Sequence, residues 1–118
     1  MLRTCGNPPG RVPWMIARLT LRVSQNEALR LVFPSTQRYE FVIRQENGEI
    51  VYRWSDGKAF GAVVQEVPFE RGEKNWPITV NLRDANGNPF PPGRYVAEAW
   101  LTTQGAISYS GKIAFEMR

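Results

Sequence analysis

From residue 16 to the end of the chain, apolar and polar side chains alternate, and nowhere do apolar residues recur at helical spacing. Period two is the signature of a strand with one buried face, because successive side chains point to opposite sides of a pleated sheet. Residues 16–23 put Ala17, Leu19, Leu21 and Val23 on one side and Arg18 and Arg22 on the other. Leu29, Leu31 and Phe33 repeat the device. Tyr39, Phe41 and Ile43 alternate with Arg38, Glu40 and Arg44; Asn47 and Gly48 then supply the positive φ angles of a tight hairpin, and Ile50, Tyr52 and Trp54 return. Residues 62–70 contain Pro68, which has no N–H to donate to a ladder and so marks an edge strand or a bulge. A turn is expected at residues 71–74. Trp76, Ile78, Val80 and Leu82 form the next inward face, then Tyr95, Ala97, Ala99 and Leu101, and finally Ile107, Tyr109, Ile113, Phe115 and Met117. The expected fold is all-β, an immunoglobulin-like antiparallel β-sandwich of about seven to eight strands. Gly93, Arg94 and Tyr95 look like a tyrosine corner, in which the phenol hydroxyl ties a strand start to loop backbone.

A chain of 118 residues fits one domain, and at that length roughly two-thirds of the unfolded surface can be buried without staples. Residues 1–15 carry Pro8, Pro9, Gly10 and Pro13 without periodicity. They read as a flexible or loosely docked arm, with the sandwich domain spanning residues 16–118. Cys5 is the sole cysteine, so no internal disulfide forms and packing must hold the fold, as suits a reducing cytosol. The first residues contain no apolar run of signal-peptide length, and no run anywhere is long enough for a membrane span. The expected compartment is the cytoplasm, with no membrane partner.

The net charge is +4, and it is unevenly placed: residues 1–44 hold seven arginines against Glu27 and Glu40, while the remainder holds eight basic and nine acidic residues. Such an excess can steer an acidic partner or a nucleic acid, and Tyr39, Tyr52, Trp54 and Trp100 alternate with arginines as stacking platforms sometimes do. Most of those aromatics fall on inward phases, however, and arginines at alternate strand positions more often solvate a sheet face. Nucleic acid is therefore not the expected partner.

The chain has no histidine. That removes the commonest general base, the Ser-His-Asp and Cys-His arrangements and most zinc sites together. Carboxylate-pair hydrolysis stays formally open through Glu40, Asp56, Glu66 and Glu98, yet their outward strand positions are those of charges that solvate a sheet. Residues 84–88, DANGN, resemble the opening of a calcium loop, but the twelfth position from Asp84 is Tyr95 where a bidentate Glu is needed. No glycine-rich phosphate loop precedes a helix. The expectation is a protein that is not an enzyme, with no cofactor, no metal and no catalytic residue.

Three stretches in order, FPSTQRYEFVIRQENGEIVYRWSDGKAF at 33–60, VPFERGEKNWPITVNL at 67–82 and DANGNPFPPGRYVAEAWLTT at 84–103, resemble the BsuPI family of intracellular proteinase inhibitors. The FPS-x-QRY-x-F lead-in, the V-x-R-W-S-x-G-x-x-F segment and the PPG-x-Y return carry the similarity. It implies a noncatalytic β-sandwich that inhibits an intracellular subtilisin-type serine protease. Three positions depart from the family pattern: Glu40 stands where Asp is typical, Tyr52 where Trp is frequent, and Pro77 follows Trp76.

An inhibitor needs a rigid exposed loop or strand, since its affinity comes from preorganisation and not from reactive groups. The expected tip is a side-chain-braced turn at Ser55, Asp56 and Gly57, with Trp54 and Phe60 anchoring its sides and Asp56 and Lys58 at the apex. The favoured reading of the same residues has Trp54 and Phe60 simply plugging the end of the sandwich and Ser55 capping a turn. A rival tip is residues 87–92, where prolines stiffen an exposed segment around Phe90. The register that buries Tyr95, Ala97, Ala99 and Leu101 points Trp100 outward, as a contact residue or as cover for the open sheet face. The alternative function is an immunoglobulin-like protein-protein interaction module without protease inhibition.

Overall fold

A computed structural model describes residues 2–5, 14–83, 86–105 and 109–117. Among these residues there is no helix, and nine strands follow one another: β1 (Leu2–Cys5), β2 (Trp14–Val23), β3 (Leu29–Phe33), β4 (Tyr39–Gln45), β5 (Ile50–Arg53), β6 (Gln65–Phe69), β7 (Gly72–Asn81), β8 (Gly93–Leu101) and β9 (Ser110–Met117). They pair antiparallel in the orders β1-β2-β7, β3-β6 and β5-β4-β8-β9. The inward residues of these sheets meet in one apolar cluster, which makes the domain a β-sandwich.

The alternation read from the sequence is the alternation of burial. Ala17, Leu19, Leu21 and Val23 on β2, Ile78 and Val80 on β7, and Tyr95, Ala97, Ala99 and Leu101 on β8 are all buried, with Arg18, Arg22 and Thr79 exposed between them. Each fully buried large side chain, such as Phe33, Phe41 or Ile43, stabilises the fold by roughly 1.5–3 kcal/mol relative to exposure. Among the described residues both strand prolines lie where a missing donor costs little: Pro68 is on β6, which pairs with β3 alone, and Pro77 is on β7, at the edge of its sheet.

Several local expectations change. Glu73 and Lys74 belong to β7, opposite Arg22 and Leu21, so the chain turns earlier than residues 71–74. In the β4–β5 connection only Gly48 has positive φ, at +92°, and Asn47 uses its side-chain oxygen to accept the Glu49 N–H at 2.9 Å. Residues 46–48 thus form a three-residue loop, one residue wider than a two-residue hairpin, closed by Gln45 N–H to Glu49 O at 2.8 Å. Within the segment expected to be an arm, β1 pairs with β2 from Leu2 opposite Leu19 to Cys5 opposite Ile16, and β2 starts at Trp14. Residues 6–13, with their three prolines, lie outside the described residues, as do Asp84 of the calcium-like stretch and Ile107.

The tyrosine corner is present. Tyr95 is buried and its hydroxyl donates to the Pro91 carbonyl at 2.6 Å, tying the start of β8 to the loop before it. Burial pushes this hydroxyl's pKa above the ordinary tyrosine value.

Candidate functional site

The FPS-x-QRY-x-F motif folds into a clamp where β3 hands the chain to β4. Phe33 ends β3 in the core. The Ser35 hydroxyl accepts the Gln37 N–H at 3.1 Å and its carbonyl accepts from Arg38 at 3.1 Å, a local turn that serine favours. The Arg38 guanidinium lies 4.6 Å from the centre of the Phe33 ring and donates also to Gln65, the first residue of β6. Arg38 thereby fastens one end of residues 61–64 to the sandwich. Thr36 fastens the other, because its backbone N–H donates to Gly61 O at 3.0 Å while its hydroxyl accepts the Gly61 N–H at 2.8 Å. Thr102 closes the clamp from the end of β8, donating its hydroxyl to Gln37 O at 2.8 Å.

Beside this clamp is the turn that follows β5. Trp54 continues the ladder by donating its N–H to Phe41 O at 2.8 Å; Asp56 N–H then returns to Arg53 O at 3.2 Å and Lys58 N–H to Ser55 O at 3.0 Å. Gly57 takes φ of +79°, a left-handed conformation costly for other residues. The Trp54 ring packs on Tyr39 at 4.4 Å with a 37° tilt, meets Phe60 at 5.9 Å and lies partly buried against the core, so it joins the turn both to β4 and to the sandwich. Asp56 and Lys58 are exposed at the apex, with the Lys58 ammonium 4.7 Å from the Trp54 ring centre.

The brace of this turn is Glu40, which the alternation had assigned to solvent. It is only 7% exposed. One carboxylate oxygen accepts the N–H groups of Phe41 at 3.0 Å and Ser55 at 3.2 Å; the other accepts the Ser55 hydroxyl at 2.6 Å and has Arg53 at 3.9 Å. Ser55 therefore donates across to β4 instead of capping its own backbone. The longer side chain of Glu, compared with the Asp that the family resemblance leads one to expect, spans from β4 to the turn. A signal was available in the run Phe41, Val42, Ile43: all three are wholly buried, so β4 is covered on both faces and an outward charge there has no water. Burial raises the pKa of the Tyr39 and Tyr52 hydroxyls nearby, and at Tyr52 the negative charges of Glu40 and Asp56 add to burial.

Trp100 is half-buried on the outward phase of β8, as its register required, and stands directly across the ladder from Glu40 and from Ser110 of β9. Phe90 is a correction. It is 4% exposed, donates its N–H to Leu82 O at 3.0 Å and stacks on Tyr95 at 5.5 Å, which in turn stacks on Phe115 at 5.6 Å. Burying that ring releases more free energy than displaying it, and the tyrosine corner holds the backbone that turns it inward. The exposed residues of this loop are Gly87, Asn88, Pro89, Pro91 and Pro92. An open depression of about 500 Å³ separates the two turns, lined by Trp54, Asp56 and Lys58 on one side and Arg83 and Gly87 on the other.

Among the described residues no group of three or more His, Cys, Asp and Glu side chains could hold a metal ion, and no helix is long and apolar enough to cross a membrane. No curated protein matches the chain. The family model for BsuPI, intracellular proteinase inhibitor, matches residues 15–106, which contain the clamp, the Glu40-braced turn, the proline loop and Trp100. The chain therefore belongs to the BsuPI family of intracellular proteinase inhibitors.

Proposed function

We propose that this domain inhibits a subtilisin-type serine protease of the cytoplasm, performing no reaction itself and presenting the turn at residues 54–60 to the protease cleft. The observation that carries the reading is the construction of that turn: an exposed apex of Asp56, Gly57 and Lys58 on a base held by a buried carboxylate and an aromatic pair. Such a base lowers the entropy lost on docking, which is how a rigid loop gains affinity without covalent chemistry. Trp54, Ser55 and Phe60 hold the shape, and Asp56 and Lys58 make the contact. Trp100, across the ladder from Glu40, extends the surface on one flank.

The test is titration into a purified intracellular subtilisin with a peptide substrate. Activity should fall linearly to zero at a fixed molar ratio. Full activity in the presence of excess protein, across several such proteases including the one from the same cell, overturns the proposal. A pull-down that returns only proteins other than proteases would favour an interaction module instead.

A further inference from the structure

Residues 61–64, between Phe60 and β6, have a property that the turn lacks. Gly61, Ala62, Val63 and Val64 are all exposed, and Val63 and Val64, at 56% and 64%, are the large apolar side chains most open to solvent among the described residues. Consecutive side chains of an extended chain point to opposite sides. A strand lying on the domain would bury one of the two valines, so exposure of both means that the segment stands clear of the sandwich on both sides. Its span is short and its ends are tied. Thr36 makes two hydrogen bonds to Gly61, and Gln65 is held by Arg38 and by its place opposite Phe33 on β3. Among the described residues no hydrogen bond engages the backbone of Ala62, Val63 or Val64. Phe60, pinned on Trp54, separates this apolar span from the polar apex of the turn.

Two free valines beside an unpaired backbone are a liability on a protein surface unless something takes them up. A protease cleft does so by its ordinary chemistry: it binds chain in extended form, pairing with main-chain N–H and C=O groups and meeting the side chains of both faces of the strand with its opposite walls. We infer that residues 61–64 are the segment gripped by the protease, added as an extended strand along the cleft edge with Val63 and Val64 in small apolar subsites. The inference rests on the inhibitory reading above and deepens it: the turn at 54–60 positions the segment, and the valines select proteases with such subsites. The clamp motif then has a purpose, since Arg38 and Thr36 keep the strand from yielding when it is gripped.

Val63→Asp and Val64→Asp test this, with Ala114→Asp on β9, at the opposite edge of the β5-β4-β8-β9 sheet, as the control for an added charge. Because both valines are exposed, all three variants should melt with the wild type. Each valine variant should raise the inhibition constant against an intracellular subtilisin by roughly 30-fold or more, the size of a hot-spot contact, and the control should leave it unchanged. If wild type inhibits and both valine variants inhibit within about threefold of it, the inhibitory reading stands and the strand assignment falls. If wild type inhibits no protease, both fall together. Should the valine variants instead abolish a concentration-dependent dimer in size-exclusion chromatography while inhibiting fully, the strand pairs with a second copy and the inference is overturned.

Discussion

The turn at residues 54–60 and the loop at residues 87–92 flank the same depression, yet they dispose of their aromatic residues in opposite ways. In the first, Trp54 and Phe60 stay half-buried as a collar and leave a polar apex in water. In the second, Phe90 turns fully inward and becomes the outer member of a stack with Tyr95 and Phe115. The difference lies in what each loop is fastened to. Glu40 holds the first through the N–H and hydroxyl of Ser55, and Trp54 packs only partly buried against the core. The second is fastened through its Pro91 carbonyl to a core tyrosine, which places Phe90 over the end of the sandwich. The first loop keeps charged side chains in water at its apex, whereas the second turns its aromatic ring into the core and leaves Asn88 and three prolines outside.

Substitution can break this contrast in graded steps. Phe90→Ala should have the largest effect on stability, a loss of about 3–4 kcal/mol from the emptied core site, read as a lower melting temperature and denaturant midpoint. Inhibition per folded molecule should be preserved; an unchanged melt would show that Phe90 is not a plug. Glu40→Ala should follow, at about 2–3 kcal/mol, because it strands the buried N–H groups that the carboxylate now satisfies. Unlike the first, it should also weaken inhibition, since the apex loses its base. Tyr95→Phe removes one O–H donor and leaves the stack, so about 1 kcal/mol is expected, with faster amide exchange at the start of β8 and no change in inhibition. Smallest in stability is Lys58→Ala, at under about 1 kcal/mol for an exposed cation over an aromatic ring. Its signature is a split: a melt close to wild type with an inhibition constant raised roughly tenfold. If Lys58→Ala inhibits normally, the apex is only scaffold.

The family motifs describe the support more than the contact. Phe33, Ser35, Gln37, Arg38 and Tyr39 bind to one another, to β6 and to Trp54; of the charged residues between the motif positions, Asp56 and Lys58 face solvent and Glu40 is buried. The alternation put Val63 and Val64 inside the strand segment at 62–70, whereas the strand begins only at Gln65. Their exposure follows from where Gly61 and Gln65 are tied, and both ties run to residues more than twenty positions away.

Local chemistry alone decided that the chain is all-β, which side of most strands faces the core, that Pro68 falls on an edge strand, and that Tyr95 makes a corner, because each depends on pleat geometry or on residues a few positions apart. The outward register of Trp100 was legible for the same reason. Tertiary structure decided that Glu40 is a buried brace and Phe90 a core residue, and that residues 62–64 stand free. Each of these is a matter of what comes to lie against the residue from elsewhere in the chain. A carboxylate on an outward phase meets water or a covering turn according to how the sheet is overlaid, and a phenylalanine between prolines points in or out according to the hydrogen bond that fixes its backbone.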